Sequence, residues 1–138
     1  MRHRMNLICL ALVLTVSTAR ADITPEPDRG PPMATAAGLD FAVQYASVKF
    51  PPGYTKTVQV AVLTGCTQGH PNCKLAKSKN LIGMEVLTVD GAYLQPEQGM
   101  VQQIVDAFDS KSGTRAVTLE LFSRASNSES IKVSFAKQ

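Results

Sequence analysis

In several runs along this chain, large apolar side chains alternate one for one with small or polar ones. Phe41, Val43 and Tyr45 alternate with Ala42, Gln44 and Ala46, the period-two pattern of a half-buried strand. Pro51, Pro52 and Gly53 break that run. Val58, Val60 and Val62 then open a second strand against Gln59, Ala61 and Leu63, rich in the β-branched residues that strands favour. Met84–Val89 reads as a third strand, ended by the turn dipeptide Asp90-Gly91. Beyond Tyr93 the period changes. Pro96 and Glu97 suit a helix first turn. Met100, Val101, Ile104, Val105 and Phe108 recur at helical spacing, with Gln102, Gln103, Asp106 and Asp109 opposite them. This predicts one long amphipathic helix from Glu97 to Phe108, with Gly113 marking its exit. Val117, Leu119 and Leu121 alternate with Thr118 and Glu120, and after a polar stretch Ile131, Val133 and Phe135 do the same. Those two runs predict an antiparallel pair. Between Cys73 and Lys79 the polar stretch leaves room for one or two helical turns.

The order is strand, strand, loop, strand, long helix, strand, strand. It predicts an α+β fold: about five strands in a small, partly open antiparallel barrel or sheet, capped by the helix.

The first residues follow a different pattern. Arg2, His3 and Arg4 precede an apolar run from Leu7 to Val16, and Ala19-Arg20-Ala21 has the small-x-small form of a signal peptidase site. Residues 1–21 therefore read as a cleaved secretory signal. The apolar run is about half of the ~20 residues that a membrane anchor needs. No stable membrane insertion is expected once the leader is removed, and the mature chain is expected to be periplasmic or secreted. Residues 22–37 carry Pro25, Pro27, Gly30, Pro31 and Pro32 and read as a Pro-rich linker or extended arm. A single domain is then expected over residues 38–138.

Composition changes the picture at two points. The chain of 138 residues carries 14 Lys+Arg and 11 Asp+Glu. Arg2, Arg4 and Arg20 fall in the leader and every acid lies beyond it, so the mature domain is close to neutral. That balance, with no basic cluster, argues against a nucleic-acid partner. Cys66 and Cys73 remain after the leader, an even pair at short spacing that points to a disulfide in an oxidising compartment. Free thiols, or a metal held with His70 between them, are the alternatives. Three donors in one loop fall short of the four ligands of a structural zinc, and no cofactor is expected.

Gly83-Met84-Glu85-Val86-Leu87-Thr88-Val89-Asp90-Gly91, the helix, and then Gly113-Thr114-Arg115-Ala116-Val117-Thr118-Leu119-Glu120-Leu121 together resemble the second half of a PDZ domain of bacterial periplasmic type. Upstream, Gly38-Leu39-Asp40-Phe41 is similar to the Gly-Leu-Gly-Phe loop that opens that family's peptide groove. The resemblance implies a groove between the strand that starts at Phe41 and the helix. It also implies peptide-contacting residues at Gly38, Leu39, Asp40, Phe41, Val43, Met100, Val101 and Ile104. Asp40 stands where the family has glycine, and Met84 where it has Asp. A carboxylate at position 40 would repel a peptide's free C-terminus. Plain core packing is the competing fate of the helical apolar stripe.

The implied function is a protein-interaction module. An extended segment of a protein or peptide partner would add a strand beside the helix, by β-augmentation. The alternative is an envelope scaffold or assembly protein with a degenerate groove and no peptide ligand. An enzyme is not expected. His70 is the sole histidine beyond the leader, and no nucleophile elbow, His-Glu-x-x-His or phosphate loop is present.

Overall fold

The computed structural model describes residues 28–111, 113, 115–126 and 129–138. The expected leader and residues 22–27 of the Pro-rich stretch lie outside the described residues. Residues 28–46 and 59–138 belong to one compact unit, and residues 47–58 to a second.

In chain order the elements are β1 (Met33–Ala36), β2 (Leu39–Phe50), β3 (Tyr54–Cys66), α1 (Pro71–Ser78), β4 (Glu85–Val89), β5 (Ala92–Tyr93), a 3-10 turn (Pro96–Gln98), α2 (Met100–Asp109), β6 (Ala116–Phe122) and β7 (Ile131–Ala136). The strands form one mostly antiparallel sheet in the order β1-β2-β3-β4-β6-β7, with β5 paired to β4. The fold is α+β, as the patterning predicts, and the sheet does not close into a barrel.

Among the described residues seven strands stand where about five are expected, and the one or two turns expected before Lys79 form a second helix. β1 lies inside the stretch that reads as a linker. Its four residues, Met-Ala-Thr-Ala, carry no alternation of large side chains, and it is held by backbone pairing to β2 and by the small side chains of Ala34 and Ala36 against the core. α1 begins inside what reads as the cysteine loop. Pro71 suits a first helical position, where its missing N–H costs nothing, and the His70 ring caps the start by accepting from Asn72 N at 3.0 Å. The long helix starts later than Glu97. Gly99 adopts φ 80°, a left-handed conformation open to glycine, and splits a 3-10 turn from α2.

The larger unit is built around α2 and the inner faces of the strands. Val117, Leu119 and Leu121 of β6 are fully buried, as are Phe135 of β7, Leu39 of β2, and Ala61 and Leu63 of β3. Val101 and Ile104 of α2 are also fully buried, and Phe108 nearly so. Thr118 and Glu120, between the buried β6 residues, are half-buried. β6 and β7 pair in continuous antiparallel register from Ala116↔Ala136 to Leu121↔Ile131.

The smaller unit, residues 47–58, is a hairpin end. Gly53 N donates to Phe50 O at 2.7 Å across the Pro51-Pro52-Gly53 turn, and the Phe50 and Tyr54 rings stack with centroids 5.5 Å apart.

Candidate interaction site

The PDZ resemblance points to the slot between β2 and α2. That slot holds β1. Met33, Ala34, Thr35 and Ala36 pair antiparallel with Ala42, Phe41, Asp40 and Leu39, and β1 also packs against α2. One step upstream, Val43 N donates to Pro32 O at 2.8 Å. Five of the candidate residues therefore sit at this pairing. Gly38 lies in the β1–β2 turn. Leu39 and Phe41 point into the core at 0% and 1% exposure. Asp40 faces Thr35, whose hydroxyl donates to its carboxylate at 2.7 Å. Val43 holds Pro32 through its backbone. On the helix, Met100, Val101 and Ile104 are buried in the core cluster, so core packing accounts for all three.

The chain ahead of β1 is tied to the start of α2. Asp28 Oδ2 accepts from Met100 N at 2.9 Å, while its Oδ1 accepts from Gly30 N at 3.0 Å. Gly99, the residue before α2, has no side chain to cap the helix. A carboxylate from 72 residues upstream supplies that acceptor, where the helix dipole favours negative charge. Arg29 N donates to Pro96 O at 3.1 Å. Gly30 and Gly99 meet backbone to backbone: a Cβ on Gly30 would come within 2.9 Å of Gly99 Cα. Residues 28–36 thus form one continuous arm, anchored by charge at the helix start and by strand pairing along β2.

The turn joining this arm to β2 is clamped by the segment between the two cysteines. Ala37 and Gly38 both have positive φ, at 50° and 78°, a strained choice for alanine. Thr67 N donates to Gly38 O at 2.8 Å. The His70 ring lies so close over Gly38 that a Cβ there would collide with it. Asn72, 3% exposed, donates from Nδ2 to Ala37 O at 2.9 Å and to Ala136 O at 2.8 Å, and its Oδ1 accepts from Ala136 N at 3.1 Å. One side chain therefore ties the β1–β2 turn to the end of β7. The Cys66–Cys73 disulfide is formed, with Cα atoms 5.2 Å apart. His70 serves as a helix cap and packing partner. Among the described residues no group of three or more His, Cys, Asp or Glu side chains is placed to hold a metal ion.

Sequence reasoning missed Asp28 and Asn72. Asp28 carried a legible signal only in its Asp-x-Gly spacing, which suits a local turn. A lone buried Asn carries none.

Two further polar groups lie on the sheet. Glu85, 5% exposed, accepts two hydrogen bonds from Arg124, from Nε at 2.6 Å and Nη2 at 2.8 Å. The contact holds the Arg124 guanidinium more firmly protonated than usual. Glu120 accepts from Ser130 at 2.6 Å and from Thr88 at 3.1 Å. The Ser130 bond, more than the Thr88 bond and nearby Lys132, holds its carboxyl below the usual carboxylate range.

Compared with models of known families, with characterised proteins and with solved structures, the chain matches none. Among the described residues no helix is long and apolar enough to cross a membrane.

Proposed function

We propose that the mature chain is an extracytoplasmic interaction protein, periplasmic or secreted, that serves as an envelope assembly unit. Its PDZ-like slot is closed in the resting chain by its own arm, residues 28–36. The observation that carries this reading is the antiparallel seating of Met33–Ala36 on Leu39–Ala42, in the place where the PDZ resemblance puts an added peptide. The Cys66–Cys73 disulfide supports an oxidising compartment, in line with the expected leader. Partner contacts then fall to surface outside the slot, where Tyr45 and Tyr93 are 65% and 71% exposed. Aromatic side chains of this kind are common anchors at interfaces.

The test replaces Tyr45 or Tyr93 by a photo-crosslinking residue in the full chain in its native cell. A discrete adduct with one envelope protein is expected, on a mature chain that begins at Asp22. Retention of residues 1–21 in the intact mass, or no adduct from either position, would count against the proposal.

An open receptor for an extended peptide is the second possibility, and the packing of the arm favours it. Met33 is 69% exposed, and Ala36 is the one side chain of β1 that is buried. Along β1 the slot grips its occupant through backbone pairing, a mode open to an extended segment of another chain.

A further inference from the structure

Resting on that reading, we infer that the arm is a tethered ligand, and that the slot exchanges it for an extended segment of the same chemistry donated by another polypeptide. The arm defines that chemistry position by position. A carboxylate must stand where Asp28 meets Met100 N. Glycine must follow two residues later, because Gly30 and Gly99 leave no room for a Cβ. Small side chains must recur at the positions of Ala34 and Ala36, which pack against the core. Pro31, Pro32 and Met33 are exposed and leave their positions unrestricted, while the position of Thr35 favours a hydroxyl that can donate to Asp40. The partner is therefore an extended acidic-start segment of the form Asp-x-Gly-x-x-x-Ala-x-Ala, lying antiparallel to β2.

Two features make exchange feasible. The arm contributes one buried side chain, so its release exposes little apolar surface. Its turn holds alanine at φ 50°, a strained conformation that does not favour the seated arm over a free segment. What gives the arm its advantage over a free segment is its tether. A short linker supplies a millimolar effective concentration, so a free segment of equal affinity at micromolar concentration is disfavoured about a thousandfold. An effective partner must out-compete the tether, through multivalency or through added contacts outside the slot.

The probe is a fluorescent peptide of residues 28–37 of this chain, measured by anisotropy against the full mature protein. Gly30→Val forces the arm out against Gly99 while leaving the slot itself unchanged. The Gly30→Val chain should bind the probe at least tenfold more tightly than wild type does. A probe carrying Asp28→Asn should bind at least fivefold more weakly than the native probe. A folded Gly30→Val chain that ignores the probe, or that binds both probes equally, overturns the inference. Should that variant fail to fold, hydrogen exchange on the wild type decides. The Val43 amide, which reports the contact with Pro32 O, should exchange at least tenfold faster than the Leu119 amide in the β6–β7 pair. Equal protection overturns the inference. Probe failure with intact photo-adducts would remove the tethered ligand and leave the assembly reading standing. Probe binding without adducts would do the reverse.

Discussion

Replacing Asn72 by Ala should destabilise the domain far more than its place in a short helix near the surface suggests. The side chain is 3% exposed and makes three hydrogen bonds, all to main-chain atoms: two to Ala37 O and Ala136 O, and one from Ala136 N. The net contribution of such a bond is about 1 kcal/mol, which gives about 3 kcal/mol for the set. Ala136 is itself exposed, so water can re-satisfy part of what is lost, and the loss should fall near 2–3 kcal/mol. For a domain of this size that is on the order of 8–12 °C in Tm. Asn72→Asp supplies a sharper test. It keeps the acceptor for Ala136 N, removes both donated bonds and places a carboxylate against two carbonyl oxygens, so it should cost more than Ala despite being isosteric. The assay is urea unfolding of the oxidised mature chain followed by circular dichroism, with exchange of the Ala136 amide as a local reporter. Stability within 0.5 kcal/mol of wild type for Asn72→Ala, or an Asp variant more stable than the Ala variant, would refute the role of Asn72 as a staple.

Arg124→Ala should cost about 2 kcal/mol by stranding the buried Glu85 carboxylate, with the usual penalty discounted because Arg124 is partly exposed; chemical denaturation of a Glu85→Leu, Arg124→Met double variant should recover most of it. Removing the Cys66–Cys73 disulfide, with a sequence separation of 7, should cost about 2.5 kcal/mol on the chain-entropy model, seen as a lower urea midpoint, and the native protein should take up two alkyl groups only after reduction. Phe108→Asp, which buries a charge at 4% exposure, should unfold the domain by circular dichroism. Val105→Asp, at a half-buried position, should leave it folded with a reduced Tm, and the reverse order would contradict the orientation of α2.

The parts of this fold that bury large side chains were legible from the chain. Val117, Leu119 and Leu121 alternate because β6 has one face in the core. Val101, Ile104 and Phe108 recur at helical spacing because α2 lies on that same core. The parts held by backbone were not. β1 turns only small side chains toward the core, its one large residue, Met33, being exposed, and the two residues of β5 are too few for a period. α1 did carry a start signal in His70-Pro71, obscured by the cysteines on either side of it. The turn motif and the apolar stripe marked the buried positions Leu39, Phe41, Val101 and Ile104, which lie on either side of the place that β1 takes. What fills that place was hidden, since Asp28 acts on a helix 72 residues away and local pattern does not report so distant a contact.

The clamps on the Ala37–Gly38 turn connect these features into one chain of cause. The disulfide holds Cys66, at the end of β3, beside Cys73 in the first turn of α1. Within that closed loop, Thr67 bonds Gly38 O, His70 covers Gly38, and Asn72 bonds Ala37 O. A turn whose two residues both sit at positive φ would otherwise be free to relax. Held in this way, it fixes the direction in which β1 leaves β2, and a one-residue slip would turn Ala34 and Ala36 away from the core. Asp28 at the far end then completes the seating by capping α2. The arm is consequently fixed at two ends by unlike interactions, a covalently supported turn at one and a charge at a helix start at the other. Loss of either should loosen the slot before it unfolds the sheet, because the β6–β7 pair holds its register without the arm, while α2 takes from the arm the cap of Asp28 and the contacts of β1.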